Sequence, residues 1–251
     1  MALLEVSGLT RSFYGVQAVR GADFTVGAGT ITALIGPNGA GKTTSFQCIS
    51  GVIAPDGGTI RFAGQDITGW TADRITRAGM TRSFQIARGI ARLSVLDNLM
   101  LYAPDQPGEG VMMALAGGGA AREAAIHDRA ILIARRLNLL AVANNPAGAL
   151  SGGQKKLLEL GRALMAEPKL ILLDEPIAGV NPALAETIAE HIASLRDDGM
   201  SFLVIEHHMD LIAKLCDPVI VMAEGRVLAE GSFSAIANNP AVREAYLGAR
   251  R

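Results

Sequence analysis

The run Gly36-Pro37-Asn38-Gly39-Ala40-Gly41-Lys42-Thr43-Thr44 fits G-x-x-x-x-G-K-[ST] at every fixed position. Residues of these types in this order cradle phosphate. Glycines at 36, 39 and 41 let the backbone turn tightly and bring its N–H groups near phosphate oxygens, where a Cβ would obstruct. A helix beginning near Lys42 adds unsatisfied N–H groups and a positive dipole end. Lys42 then brings a full charge to the β- and γ-phosphates, and the Thr43 hydroxyl is placed to ligate Mg²⁺. Far downstream, Asp174 and Glu175 follow the apolar run Leu170-Ile171-Leu172-Leu173. Two adjacent acids at one strand end can divide the work: Asp174 holds Mg²⁺, while Glu175 orients and deprotonates an attacking water. Alone, the pair followed by Pro176 would read as an ordinary acidic turn. With the cradle upstream, the catalytic reading prevails.

A third run, Ser151-Gly152-Gly153-Gln154, precedes a helical pattern with Leu157, Leu160, Leu164 and Met165 on one face. Ser151 reads as an N-cap, and Gly152-Gly153 as bare backbone donors at a helix start, a second anion-binding N-terminus. A chain with one complete cradle does not obviously need another. The economical explanation is that this N-terminus serves the γ-phosphate held by a different subunit.

These runs need elements to position them. Residues 30–35 read as a short buried strand, rich in β-branched residues and bounded by glycines. The run at 170–173 is continuously apolar, as in a strand covered on both faces of a parallel sheet. The ends of such strands are where ligands bind in open α/β sheets. Up to about Thr81, short strands alternate with turns. From about Arg82 to Leu150 the pattern turns helical, strongest over 121–140, with breaks at 104–108 and 116–119. After Ser151, strands and helices alternate again: the Asp174 strand, a helix bearing Ile188, Ile192 and Leu195, a strand at 202–206, then Val219 to Met222. This is βα winding around a parallel sheet.

The run LSGGQ at 150–154, between a Walker A and a Walker B motif, resembles the ABC-type ATPases, and the match covers essentially all 251 residues. The resemblance implies an α/β fold: a P-loop (RecA-like) core with a parallel sheet, an N-terminal antiparallel β region and an inserted helical lobe. It implies one cassette, with the N-terminal part of the core at 1–81, the helical lobe at 82–150, and the signature helix, Walker B motif, switch histidine and C-terminal part at 151–251. It also implies ATP and Mg²⁺ as cofactors, and a head-to-tail dimer. Each ATP would lie between one cradle (Gly36, Pro37, Asn38, Gly39, Ala40, Gly41, Lys42, Thr43, Thr44) and the partner's Ser151, Gly152, Gly153 and Gln154.

Other residues take family roles through the same resemblance. Phe13 matches the aromatic that stacks on adenine, with Tyr14 beside it as a substitute and a hairpin-packed aromatic as the plain alternative. Gln85 matches the glutamine that ligates Mg²⁺ and links the core to the lobe. His207 matches the switch histidine on the γ-phosphate, a catalytic role shared with Glu175. Glu206, His207, His208 and Asp210 could also suggest a metal, but adjacent residues at a strand end point in opposite directions and no zinc spacing is present. One departure stands out: Asn181 occupies a loop position where relatives usually carry Asp. It keeps the carbonyl but carries no charge.

Bulk numbers narrow the class. Hydrophobic residues make up 49%, enough for a sizeable core, and mean hydropathy is +0.29. No apolar run approaches the roughly 20 residues that span a bilayer. The start MALLEVSGLT lacks a basic n-region, which argues against an export signal. Cys48 and Cys216 form no metal or redox motif and read as small packed apolar residues in a reducing cytosol. Balanced charge, 23 basic against 24 acidic residues, argues against nucleic acid as a partner. Arg82, Arg88 and Arg92 surround Gln85, either as a solvated surface or as the lining of a groove for a coupling helix.

Two classes of ABC-type ATPase compete, a transporter motor and a soluble enzyme of DNA repair, chromosome structure or translation. Between Lys42 and Ser151 no sustained heptads stand, which disfavours repair and chromosome types. Translation types carry two cassettes, and no internal repeat is found here. The Ala178-Gly179-Val180-Asn181-Pro182 loop, the Arg82-Ser83-Phe84-Gln85 entry and the ending 239–248 resemble the larger ATPase subunit of bacterial branched-chain amino-acid importers. Lipopolysaccharide or lipid export is the alternative within transporters. The implied partners are a second ABC ATPase subunit, the same or different, two transmembrane permease subunits, and indirectly a periplasmic substrate-binding protein. The implied place is peripheral, on the cytoplasmic face of the inner (plasma) membrane.

Overall fold

The computed structural model describes residues 2–83, 90–104, 106 and 119–248. They fall into two compact units, one of Met1–Arg82, Lys169–Pro176 and Ala189–Arg251, the other of Ser83–Pro168 and Ile177–Ile188. Among the described residues, no helix is long and apolar enough to cross a membrane.

The first unit holds two sheets. In the antiparallel one, β1 (Ala2–Phe13) and β2 (Val16–Gly27) form a hairpin beside β4 (Gly57–Phe62) and β5 (Gln65–Asp66), in the order β2-β1-β4-β5. The hairpin turns on Tyr14 and Gly15, both at positive φ (49° and 85°), the geometry that matches strand twist in a two-residue turn. The second sheet runs β10-β9-β3-β8-β7-β6, from β3 (Ile31–Ile35), β6 (Met80–Arg82), β7 (Leu170–Asp174), β8 (Ser201–Ile205), β9 (Val219–Ala223) and β10 (Arg226–Gly231). All its pairs are parallel except β10 on β9. Strands β3, β7 and β8 are buried at every residue, which is why β7 and β8 read as largely continuous apolar runs, while β3, with Thr32 buried at its centre, reads by its β-branched residues. The expected α/β core with a parallel sheet and an N-terminal antiparallel region is thus observed.

Helix α1 (Lys42–Ile49) follows β3 and buries Phe46 and Ile49 completely, contacts worth about 1.5–3 kcal/mol each. That anchor fixes the helix start, and with it Lys42. Around the same unit lie α2 (Ala72–Arg77) and, later in the chain, α7 (Met209–Leu215), α8 (Phe233–Asn238) and α9 (Pro240–Gly248).

The second unit is helical, with α3 (Val95–Met100), α4 (Ala120–Arg136) and α5 (Gly152–Met165), and it takes the first turns of α6 (Pro182–Asp197). The three complete helices close on Gly161. A Cβ there would lie 2.8 Å from Leu99, 3.1 Å from Leu137 and 3.3 Å from Ile133. Helix α4 ends at Arg136, short of the expected 140, because Asn138 takes a left-handed φ of 56° that closes a helix. A buried polar knot ties α3 to α5: Arg162 donates to Asn98 Oδ1 at 2.6 Å, and Asn98 Nδ2 donates to the carbonyls of Ile90, Leu93 and Ser94.

Candidate functional site

Strands β3, β8 and β7 are neighbours and parallel, so their carboxyl ends share one edge of the sheet. The glycine-rich loop leaves β3 there, His207 follows β8, and Asp174-Glu175 end β7. Residues far apart in sequence meet because the strand order is not the chain order.

The loop is built as its glycines suggest, for two separate reasons. A Cβ on Gly36 would meet the Met222 carbonyl at 2.0 Å, and one on Gly41 the Ala18 carbonyl at 2.5 Å, so internal packing demands those two. Gly39 is different. It has φ 78° with nothing within 4 Å of a Cβ, and its backbone is open to a ligand. Lys42 is only 6% exposed, and its Nζ donates to the carbonyls of Gly36 (2.7 Å) and Pro37 (3.0 Å). Burial pushes its ammonium below the ordinary lysine value, while Glu175 and Asp174 pull the other way. Thr43 is exposed in the first turn, Thr44 is half-buried, and no side chain caps α1. Asn38 is exposed, Pro37 half-buried and Ala40 buried.

Asp174 is 6% exposed, and its Oδ2 accepts from Arg82 Nη2 at 3.0 Å. Arg82 is therefore not a solvated surface charge. It is largely buried, ion-paired, and its guanidinium also lies 5.9 Å from the Phe46 ring centre. Glu175 takes a left-handed φ of 49°, a conformation costing a non-glycine residue about 1–2 kcal/mol. Its N–H donates to the Ile205 carbonyl at 2.9 Å, so the sheet holds the strained residue in place. This turns Glu175 to His207: Nε2 stands 3.0 Å from Glu175 Oε1.

The alternation at the end of β8 sends the two histidines different ways. His208 Nδ1 lies 2.9 Å from Oε2 of Glu206, a carboxylate that is 1% exposed. The same oxygen accepts the N–H of His207 at 2.8 Å and of His208 at 3.3 Å. Glu206 thus shapes the turn that presents His207, a role that sequence reasoning missed. Its local signal was an acid ending an otherwise apolar strand.

In the second unit, Ser151 and Gln154 form a capping box on α5. Ser151 Oγ accepts from Gln154 N (3.3 Å) and Gln154 Oε1 from Ser151 N (3.0 Å). At Gly153 a Cβ would fall 2.0 Å from the Leu184 side chain, so a larger residue there requires that leucine to move. Gly152 has nothing within 4 Å of a Cβ and is exposed. Asn181 Oδ1 accepts from Leu184 N at 2.9 Å, capping α6 in the manner open to Asp as well. Back in the first unit, Phe13 ends β1 opposite Val16 with Arg11 4.9 Å over its ring, while Tyr14 projects fully into solvent. Gln85 and Arg88 lie outside the described residues.

Residues 19–178 match a family model described as ABC transporter. Residues 226–251 match one described as Branched-chain amino acid ATP-binding cassette transporter. A probable branched-chain amino acid transport ATP-binding protein, LivG, of Archaeoglobus fulgidus is 42% identical over 250 residues, spanning 100% of this chain and 97% of that protein. Among solved structures, a nucleotide-free ATP-binding cassette from an ABC transporter superposes with a TM-score of 0.85 at 35% identity, covering 98% of each chain. The ADP conformation of an ATP-binding cassette of an ABC transporter does so at 0.84 and 34% identity, covering 99% of each.

Proposed function

The chain belongs to the ABC transporter family, and from that premise we propose that it is an ATP-hydrolysing subunit driving import of branched-chain or related hydrophobic amino acids. One observation carries the enzymatic part: the open Gly39 backbone, buried Lys42, Asp174, and the Glu175–His207 pair stand at the adjacent ends of three parallel strands. The cargo rests on the family description of residues 226–251 and on the relative's name.

ATP is the substrate. Gly39 and the start of α1 offer N–H groups to its phosphates, and Lys42 turns its ammonium from the loop carbonyls to the β- and γ-oxygens. Glu175 takes a proton from the attacking water, and His207, held beside it by the Glu206 turn, donates to the γ-phosphoryl. Phe13 supplies a flat face for adenine. The Asp174 carboxylate accepts a cation already, that of Arg82, so the position suits Mg²⁺, which Asp174, Thr43 and Gln85 would hold. When bound, the ion neutralises charge building on the phosphate oxygens. Across a dimer, the partner's Ser151, Gly152, Gly153 and Gln154 complete the phosphate ligands, and Gly152 supports this because no internal contact excludes a larger residue there.

The cassette works, on this reading, as half of an ATPase dimer beneath two permease subunits, on the cytoplasmic face of the plasma membrane, with a substrate-binding protein outside. It is one cassette, but its lobe runs past the expected 82–150: the signature helix packs with the helical unit of Ser83–Pro168 and Ile177–Ile188, leaving the core to Met1–Arg82, Lys169–Pro176 and Ala189–Arg251. Glu175→Gln tests the chemistry. The variant is expected to bind ATP as tightly as wild type, turn over at least about 10²-fold slower for want of its base, and accumulate dimer. Wild-type turnover would remove Glu175 from the mechanism. Uptake of labelled leucine by cells lacking the gene tests the cargo, and undiminished uptake would overturn it.

A further inference from the structure

Arg82 and Asp174 meet through the register of two strands. Arg82 of β6 stands opposite Leu172 of β7, and side chains alternate along a strand, so Asp174, two residues on, shares its face. The arginine spans that diagonal, and its Nη2 donates to Asp174 Oδ2 at 3.0 Å. Both groups are largely removed from water, with 15% of the Arg82 side chain and 6% of that of Asp174 exposed. The guanidinium also lies 5.9 Å from the centre of the Phe46 ring, one helical turn beyond Lys42 in α1.

A pair made only to pin an edge strand would be built differently. The backbone ladder already joins β6 to β7 at Met80, Thr81 and Arg82. A buried ion pair offsets its desolvation only with good geometry and further hydrogen bonds. This one has a single hydrogen bond where an arginine fork can make two, and Arg82 Nε is buried with no partner among the described residues. Among those residues Arg82 is also the one donor to the Asp174 carboxylate. A thin tie therefore holds a buried negative charge at the end of β7, and without it that charge has no ion-pair partner.

We infer that Arg82 is the resident counter-ion of Asp174, a positioning residue that keeps the carboxylate ionised and buried until Mg²⁺ is bound with nucleotide, and that competes with the metal for it. Resting on the ATPase reading above, this role adds a residue that touches neither nucleotide nor metal. A cation fixed beside a metal site repels the metal, so Arg82 lowers the affinity for Mg²⁺ rather than raising it. A merely structural pair would do the opposite, since its loss would loosen the site and weaken the metal.

The readout is the factor by which Mg²⁺ tightens ADP, taken as the ratio of calorimetric Kd values in EDTA and in saturating Mg²⁺. Arg82→Met removes the charge and keeps the length, and its factor is expected to exceed that of wild type about tenfold or more, the effect of removing one neighbouring charge. Free of metal and nucleotide, the same variant unfolds at a lower temperature, and Mg²⁺ with ADP raises its midpoint by more than in wild type. Arg82→Lys keeps the charge, and its factor stays close to that of wild type. If Arg82→Met fails to fold, Arg82→Gln, which keeps a donor without the charge, carries the same expectation. A factor unchanged or lowered in the neutral variant overturns the counter-ion role, as does an equal rise in Arg82→Lys. A wild type that binds no ADP, or binds it equally in Mg²⁺ and in EDTA, overturns the ATPase reading itself and this role with it.

Discussion

Gly152 and Gly153 are neighbours at the start of one helix, yet the structure separates their reasons for being glycine, and that separation can be measured. At Gly153 an added methyl would sit 2.0 Å from Leu184 Cδ2, 2.5 Å from Cδ1 and 2.7 Å from Cγ. All three atoms belong to the side chain of half-buried Leu184, so Gly153→Ala is accommodated only if that leucine leaves its place, and is expected to destabilise by about 1–3 kcal/mol. At Gly152 the methyl meets nothing within 4 Å, φ is ordinary, and Ala is the better helix former. Gly152→Ala should therefore hold stability level or raise it by up to about 1 kcal/mol. Stability alone would make it a harmless or helpful change.

Function should reverse the ranking. If the Gly152 backbone approaches a γ-phosphate held by the opposite protomer, a Cβ there blocks the approach. Losing one preorganised donor to a developing anion costs about 10²–10³-fold in turnover. The assay is steady-state hydrolysis of ATP alongside urea unfolding, for wild type, Gly152→Ala, Gly153→Ala and the double change Gly153→Ala with Leu184→Ala. The expected pattern is a stable, inactive Gly152→Ala and a destabilised Gly153→Ala whose stability the Leu184 truncation partly restores. A fully active Gly152→Ala would refute the shared-site reasoning. A Gly152→Ala that unfolds early would instead refute the claim that the position is sterically free.

Two further expectations concern the interior. Asn98 is 1% exposed and satisfies three carbonyls and Arg162 at once, so Asn98→Leu should cost about 3 kcal/mol or more in denaturant unfolding, because it strips hydrogen bonds from a buried cation and its surroundings. An effect below about 0.5 kcal/mol, the size of an ordinary surface change, would show that the knot does not hold the helices together. Burial pushes the Cys48 thiol up to about 11 and that of Cys216 up to about 12, both from 9.0. The folded state therefore keeps protons that the unfolded chain releases above 9.0, and these two groups make stability fall as pH rises through that range. A thiol reagent should label neither in the native protein and both in denaturant; rapid native labelling would contradict their burial.

The parts of the molecule legible in sequence are those whose cause is local. A continuous apolar run is enough to mark β7 and β8, since burial on both faces leaves no alternation to obscure them, and β3 is marked by β-branched residues between glycines. A serine three residues before a glutamine marks the capping box at Ser151, and the glycine spacing marks the loop after β3. Reasons that cross the sheet leave no such trace. Arg82 meets Asp174 only because β6 and β7 are adjacent parallel strands, a register that neither segment encodes alone. Read along the chain, Arg82 belongs with Arg88 and Arg92; read across the sheet, it belongs to the acid. Glu206 is intermediate. Its bonds are local, to the next two residues, but its burial is set by β8 lying between β3 and β7.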